Sequence, residues 1–309
     1  MGEKITMSPP QRAAGPPGIL AEQGHKQKMK TINAKIITET VRDLCLEANL
    51  RLRQDVFLSL KQAYAGETNE RAGNILKAIL ENARIAQKEK LAICQDTGLP
   101  CVFIELGQDV RIKGDFNFAI NKGIKLGYKK GYLRDSIISD PLKRGKPSFS
   151  PGIIHIDIVK GDKIKITVLP KGFGCENKTR LKMFNPTVEI EEIKEFILES
   201  VKLAGPDACP PYVVGVGIGG SADYSCLLAK KALLQKVTKT SGRQVSGYIG
   251  KLEHELLGEI NRLNIGPMGL GGKTTVLGVN IVTCPTHIAG LPVCVNISCH
   301  ALRSAAKIL

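Results

Sequence analysis

Thr283-Cys284-Pro285-Thr286-His287-Ile288-Ala289-Gly290-Leu291-Pro292-Val293-Cys294-Val295-Asn296-Ile297-Ser298-Cys299-His300-Ala301-Leu302-Arg303 is the stretch around which the chain is organised. Pro285, Gly290 and Pro292 forbid a single regular element. Val293, Val295 and Ile297 alternate with Cys294, Asn296 and Ser298, which predicts a short strand. That strand delivers Cys299-His300 at its end, and the loop before it presents His287, 12 residues earlier. Taken alone, Cys299 reads as a buried free thiol beside a capped loop. Two further stretches change that reading.

Working outward, Ala208–Gly220 reads as loop, short apolar strand and glycine turn. It is followed by a helix around Leu227–Leu234 and another carrying Ile249, Leu252, Leu256, Ile260 and Leu263. A helix after Pro186 uses Ile190, Ile193, Phe196, Ile197 and Val201. Ile154–Ile158 and Lys163–Val168 each alternate with period two, and Gly161-Asp162 between them predicts a β-hairpin. His155 belongs to that alternation as a structural strand residue, and His254 falls off its helix's apolar stripe, at the surface. Phe116, Ile120, Ile124 and Tyr128 mark a helix ending near Arg134. Leu91-Ala92-Ile93 enters a turn at Gly98 and Pro100, and Val102–Leu106 resumes as strand. Before it, three helical patterns run from Thr31 to about Ala83. The expected fold is therefore α/β (α+β mixed): mixed β-sheets flanked by helices, with an all-helical N-terminal segment. Residues 1–28, with Pro9-Pro10 and Pro16-Pro17, have no periodicity and read as a disordered N-terminal extension. Residues 29–309 form the folded domain.

The chain has 309 residues and a net charge of +15. Such a charge suggests nucleic acid first. Trp is absent and aromatics make up 5%, so there is little on which bases could stack. The basic residues are also dispersed, densest over residues 122–146, which suits a small dianion or an acidic partner. No apolar run approaches the ~18 residues of a membrane span. No export signal precedes the nine cysteines, so reduced thiols or metal ligands in a cytoplasmic protein are expected rather than a disulfide framework.

Two glycine motifs are set aside. Gly215, Gly217 and Gly220 match G-x-G-x-x-G, but residues 235–243 offer neither the strand nor the carboxylate of a dinucleotide site. These glycines instead let backbone pass close to something. Gly272-Lys273-Thr274 resembles the end of a P-loop, yet Pro267 stands where its first glycine belongs. No C-x-x-C occurs, which excludes zinc ribbons and ferredoxin runs. What remains is single cysteines on Gly- or Pro-rich loops: Cys94 before Gln95-Asp96-Thr97-Gly98, Cys209 before Pro210-Pro211, and Cys299 before His300. Thiolates from three distant loops suit a cluster with one iron left open to act as a Lewis acid.

Here a resemblance becomes specific. Ile93 to Gly98, Cys209-Pro210-Pro211 with its Gly-Gly end, Gly269 to Thr275, and Pro285 to Pro292 continuing through Asn296 to Cys299-His300-Ala301 resemble the α-type region of the iron–sulfur hydro-lyases. That family contains class I fumarases and L(+)-tartrate dehydratase. The match spans about residues 31–306, which makes 29–309 an iron–sulfur hydro-lyase α-type catalytic domain. The resemblance implies that Cys94, Cys209 and Cys299 hold a [4Fe-4S] cluster with one iron not ligated by protein. It implies that Gln95, Asp96, Arg134, Gly172 and Gly174 bind substrate, and that Asp96 and His287 are catalytic. A planar guanidinium at Arg134 suits a carboxylate. Two positions depart from the pattern: Cys175 stands where the family usually has Ser, and Cys284 is an additional thiol. Single-chain relatives continue into a second domain, so the resemblance implies an α subunit working with a separate β subunit, as a hetero-oligomer.

The activity expected is reversible hydration of fumarate to (S)-malate, with the β subunit and a four-carbon dicarboxylate as partners and neither nucleic acid nor membrane. L(+)-tartrate dehydration to oxaloacetate is the nearest alternative. A non-catalytic iron–sulfur electron carrier or redox sensor is more distant.

Overall fold

The computed structural model describes residues 29–237 and 247–309. The extension 1–28, and the part of 235–243 beyond Val237, lie outside those residues. In chain order the elements are β1 (Lys30–Asn33), α1 (Ala34–Leu50), α2 (Gln54–Gly66), α3 (Glu70–Glu89), β2 (Leu99–Gly107), β3 (Val110–Lys113), α4 (Phe116–Lys130), β4 (Ile153–Val159), β5 (Ile164–Lys171), α5 (Phe173–Glu176), β6 (Arg180–Phe184), α6 (Ile190–Ala204), β7 (Tyr212–Gly219), α7 (Ala222–Leu234), α8 (Gly247–Arg262), β8 (Val276–Cys284), β9 (Leu291–Ser298) and β10 (Ala305–Ile308).

Side-chain caps start the helices where the sequence changes character. Asn33 Oδ1 accepts from the Lys35 N–H at 2.8 Å, Asn69 Oδ1 from Ala72 at 3.1 Å, and Asp115 Oδ1 from Phe118 at 2.8 Å. The N-terminal segment is helical from Ala34 to Glu89. A four-residue strand precedes it, in which Ile32 faces the core and β1 pairs in parallel with β3.

Two four-stranded mixed sheets carry the domain, in the orders β10-β5-β2-β4 and β6-β9-β7-β8. One sequence expectation fails here. β4 and β5 do not form a hairpin with each other; β2 lies between them, parallel to β4 and antiparallel to β5. The end of β2 invades the expected turn: the Gly107, Gln108 and Asp109 N–H groups donate to Lys163, Val159 and Gly161 carbonyls. Pro100–Ile104 of β2 is buried throughout, the mark of a strand covered on both faces.

α1 and α4 pack on the first sheet through Ile37, Val41, Leu44, Ile120, Ile124 and Tyr128. α6 and α8 pack on the second through Phe196, Ile197, Val201, Leu256 and Ile260. A third cluster joins the sheets: Val56, Leu60 and Leu76 from α2 and α3 meet Cys101, Phe103, Leu169, Val213, Leu277 and Leu302. The glycines of β7 serve that junction. A Cβ on Gly217 would stand 2.0 Å from the Ser225 carbonyl oxygen, so glycine is what lets α7 lie directly on the strand. Among the described residues no helix is long and apolar enough to cross a membrane.

Candidate functional site

The loops that carry Cys94 to Asp96, Arg134, Gly172 to Gly174, Cys209 and Cys299 meet at one junction of the two sheets. Cys94, Gln95 and Asp96 lie in the turn leading into β2; Gly98, at φ +74°, closes it against the Pro170-Lys171 backbone, where a Cβ would stand 2.7 Å from the Pro170 carbonyl carbon. Asp96 is clamped: Oδ1 accepts from the Gly98 N–H at 2.9 Å and Oδ2 from the Phe173 N–H at 2.8 Å. The second bond places the carboxylate at the start of α5, beside Gly172. Gly174 has open space where a side chain would stand.

Arg134 follows α4 on an exposed loop, and its backbone is fixed to the same turn. Thr97 Oγ1 donates to the Arg134 carbonyl at 3.2 Å, and the Tyr128 hydroxyl to the Thr97 carbonyl at 2.8 Å. Tyr128 is buried, so these bonds tie α4 firmly to the Cys94–Gly98 turn.

Cys209 and Cys299 come from the other sheet. Cys209 sits in left-handed backbone at φ +59°, which costs a non-glycine residue about 1 kcal/mol or more and is often found at functional positions. Its carbonyl is held by His300, through the N–H at 3.4 Å and through Nδ1 at 3.0 Å. One loop thus locks the backbone of the other. Arg303, four residues beyond Cys299, is buried and its Nη2 donates to the Asp96 carbonyl. That bond links the Cys299 loop to the Cys94 turn.

The thiols are close enough to perturb one another. Burial raises the Cys209 pKa, and the charges of Cys299 and Cys94 raise it further. Cys299 is held well below the ordinary thiol range, first by a hydrogen bond from Cys175 and then by the positive surroundings of His300 and Arg303, against the opposing effect of burial. Cys175, buried behind them, also donates to the Ala208 carbonyl at 3.3 Å, and its own pKa is pushed far up. Among the described residues no set of His, Cys, Asp and Glu is compact enough for a single metal ion. Three part-exposed thiols on three loops form a wider cradle of soft donors, and this fits a multi-iron cluster.

Beneath the thiols lies a charged network that the sequence reading missed. Lys171, 2% exposed, donates to the Ile297 carbonyl at 2.8 Å and stands 3.4 Å from Glu176 Oε2. Lys230 Nζ is 2.5 Å from Glu176 Oε1, and Asn296 Nδ2 donates to Glu176 Oε2 at 2.9 Å. Burial raises the Glu176 pKa, but Lys171, Lys230 and Asn296 together hold it below the ordinary range.

His287 is not brought to this place. It lies on the exposed loop before β9, whereas Cys299 follows the other end of that strand. β9 lies between the two, and its eight extended residues at ~3.3 Å each span about 26 Å. Its ring instead accepts from the Ala289 N–H at 3.2 Å. Lys273, in the glycine motif that resembled the end of a P-loop, is committed to the α2–α3 junction: its N–H donates to Glu67 Oε2 and its Nζ to the Gly66 carbonyl.

A family model described as fumarate hydratase (Fumerase) matches residues 38–307. The chain belongs to that family. It is thereby an enzyme of the hydro-lyase type. It is also similar to the putative L(+)-tartrate dehydratase subunit alpha of Methanocaldococcus jannaschii, at 41% identity over 279 residues, covering 88% of this chain and 96% of that one. The L(+)-tartrate dehydratase subunit alpha of Escherichia coli is 29% identical over 280 residues, covering 89% and 91%. That of Shigella sonnei gives the same figures: 29% over 280 residues, 89% and 91%. In this fumarate hydratase family member the loops that meet at the candidate site are spread over nearly the whole matched length. Arg303 and His300 stand within the cysteine motif itself; what marked them was their place one strand end away from the other loops.

Proposed function

We propose that this chain is the cluster-bearing α subunit of a two-subunit L(+)-tartrate dehydratase, with fumarate hydration as the second reading. The observation that carries the reaction class is the meeting of Cys94, Cys209 and Cys299 beside Asp96 and the Arg134 loop. The names of the relatives favour tartrate over fumarate. The family description favours the second reading.

On this reading Cys94, Cys209 and Cys299 hold a [4Fe-4S] cluster with one iron free of protein ligands. When bound, that cluster supplies a Lewis acid that polarises the departing hydroxyl. Arg134 takes a substrate carboxylate in its planar fork, since its guanidinium forms no ion pair among the described residues. Gln95 donates to a second oxygen. The Gly172–Gly174 backbone lets substrate approach where a side chain would intrude. Asp96, held at both oxygens by backbone N–H groups, accepts the proton from the carbon beside a carboxylate. Loss of that proton and of hydroxide gives an enol, which becomes oxaloacetate. The carboxylate far from the cluster lacks a cationic partner from this set, so the β subunit supplies it. The α4 end and the loop after it, with Lys129, Lys130 and the fully exposed Tyr132 and Leu142, is the surface on which that subunit docks.

The test is co-expression with the β-type partner under anaerobic conditions, followed by assay on L(+)-tartrate, (S)-malate and fumarate. Oxaloacetate formation from L(+)-tartrate at a kcat/KM above that for malate is expected. Fumarate–malate interconversion as the faster reaction would replace tartrate by the second reading. Equal turnover by the α chain alone would remove the β subunit from the proposal.

A further inference from the structure

Among the described residues two cationic side chains are buried, Lys171 and Arg303. Lys171 has its carboxylate, with Glu176 Oε2 at 3.4 Å. Arg303 enters no ion pair among the described residues. It is 3% exposed, its Nη2 donates to the Asp96 carbonyl, and its Nε is buried with no hydrogen-bond partner. The Asp96 carboxylate is occupied elsewhere, by the Gly98 and Phe173 N–H groups.

A guanidinium cannot shed its charge inside a protein. A charge taken out of water without a counter-charge is costly, and an unused buried donor adds to that cost. A buried cation left in this condition points to an anion that the chain binds. Its surroundings identify that anion. The Leu302 N–H donates to the Cys299 carbonyl at 3.1 Å, so a turn separates Arg303 from the thiol, and the charge of Arg303 reaches Cys299. Its bonded partner, the Asp96 carbonyl, stands two residues beyond Cys94. Arg303 thus joins two of the three thiol-bearing loops from a position closed to solvent. Three thiolates outweigh the charge of the iron–sulfur core they hold, so a loaded cradle is a net anion, and reduction makes it more so.

We infer that Arg303 is the counter-charge of the cluster: fixed by the Asp96 carbonyl, it sets one buried positive charge behind the Cys94 and Cys299 loops, favours loading of the cradle and raises the reduction potential of the bound group. The inference rests on the reading of Cys94, Cys209 and Cys299 as a cluster site. Arg303 acts through the cluster and not on substrate, so it is a positioning residue. The same charge explains why the network beneath the thiols needs Glu176 for its lysines while Arg303 has no carboxylate of its own: the anion comes with the cofactor.

Two variants separate charge from shape. Arg303→Gln and Arg303→Lys both lose the planar fork and both keep an N–H donor, but only the second keeps the charge. The full chain and both variants are reconstituted under argon and their fold is compared by circular dichroism. Iron and acid-labile sulfide are then counted, and the midpoint potential is read by electron paramagnetic resonance during a reductive titration. Arg303→Lys is expected to load like the wild type, with its reduction equilibrium within about threefold of it. Arg303→Gln is expected to hold a group about tenfold harder to reduce, a fall of ~59 mV for one electron, or to lose the group where Arg303→Lys retains it. Equal shifts in the two variants, or equal loss of the group from both, would make the bond to Asp96 purely structural and overturn the proposal. So would a loaded Arg303→Gln with the wild-type potential. A wild-type chain that takes up neither iron nor sulfide would remove the cluster reading itself, and the proposal with it.

Discussion

Glu176→Gln removes the one negative charge from the network beneath the thiols while keeping the shape of the side chain. Lys171 is 2% exposed and cannot turn to water, so it is left with the Ile297 carbonyl as its partner. Lys230, on α7, is 19% exposed and can relax outward. Asn296 Nδ2 donates to Glu176 Oε2, so the new amide loses either that bond or its best orientation toward Lys171. Breaking a buried pair by removing one partner costs about 3–5 kcal/mol. Because one of the two lysines can reach solvent, about 3 kcal/mol is expected. At ~2.1 cal/mol/K of unfolding entropy per residue this lowers the Tm by about 5 °C. Denaturant unfolding of wild type, Glu176→Gln and the charge-free pair Lys171→Met with Glu176→Gln measures it. The pair is expected to recover part of the loss, since it leaves no uncompensated buried charge. The carboxyl pKa is depressed in the folded state, so this stabilisation is present above the unfolded pKa of about 4.3 and is lost as pH falls through the folded value. The difference between wild type and Glu176→Gln should therefore shrink on acidification. A Glu176→Gln cost below about 0.5 kcal/mol, the range of ordinary surface changes, would refute this reading of the network.

Other substitutions separate the remaining parts of the account. Arg134→Lys keeps the charge but loses the planar fork, and kcat/KM for the dicarboxylate is expected to fall about 10- to 100-fold with cluster content unchanged, the size of one charged hydrogen bond. Gly217→Ala drives a methyl into the Ser225 carbonyl and should destabilise the fold by about 1–3 kcal/mol, read by urea unfolding. Asp55→Asn should remove an acid-sensitive element: burial raises the Asp55 pKa, but Arg53 and the Val237 and Val56 N–H groups hold it below the ordinary range. Its stabilisation is present above about pH 3.9 and lost on further acidification, so the wild-type advantage seen at pH 7 should vanish toward pH 2.

The helices were legible because each carries an apolar stripe on a 3.6-residue period and several start at a visible cap. The turn carrying Cys94 and the strand ending at Cys299 were legible because Gly and Pro punctuate them. The β4–β5 hairpin was misread for a physical reason: alternation reports which face of a strand is buried, not which strand lies beside it. Gly161-Asp162 does form a bend, but the Gly107–Asp109 backbone donates into it and β2 takes the place between the strands. β6, β8 and β10 pair with strands distant in sequence, and no local pattern announces such partners. The place of His287 was not legible, because its separation in sequence from Cys299 looks short until the intervening residues are laid out as an extended strand. Lys171, Glu176 and Lys230 were invisible because each alone reads as a surface charge; only the fold gathers them.

The most direct measurement is iron and acid-labile sulfide per chain after anaerobic reconstitution, in the wild type and in Cys94→Ser, Cys209→Ser, Cys299→Ser and the buried control Cys45→Ser. About four irons and four sulfides are expected in the wild type and the control, as for a [4Fe-4S] group, and loss of the group in each of the other three. Full iron retention in Cys209→Ser, or loss in Cys45→Ser alone, would contradict the assignment of the three-loop cradle as the cluster site.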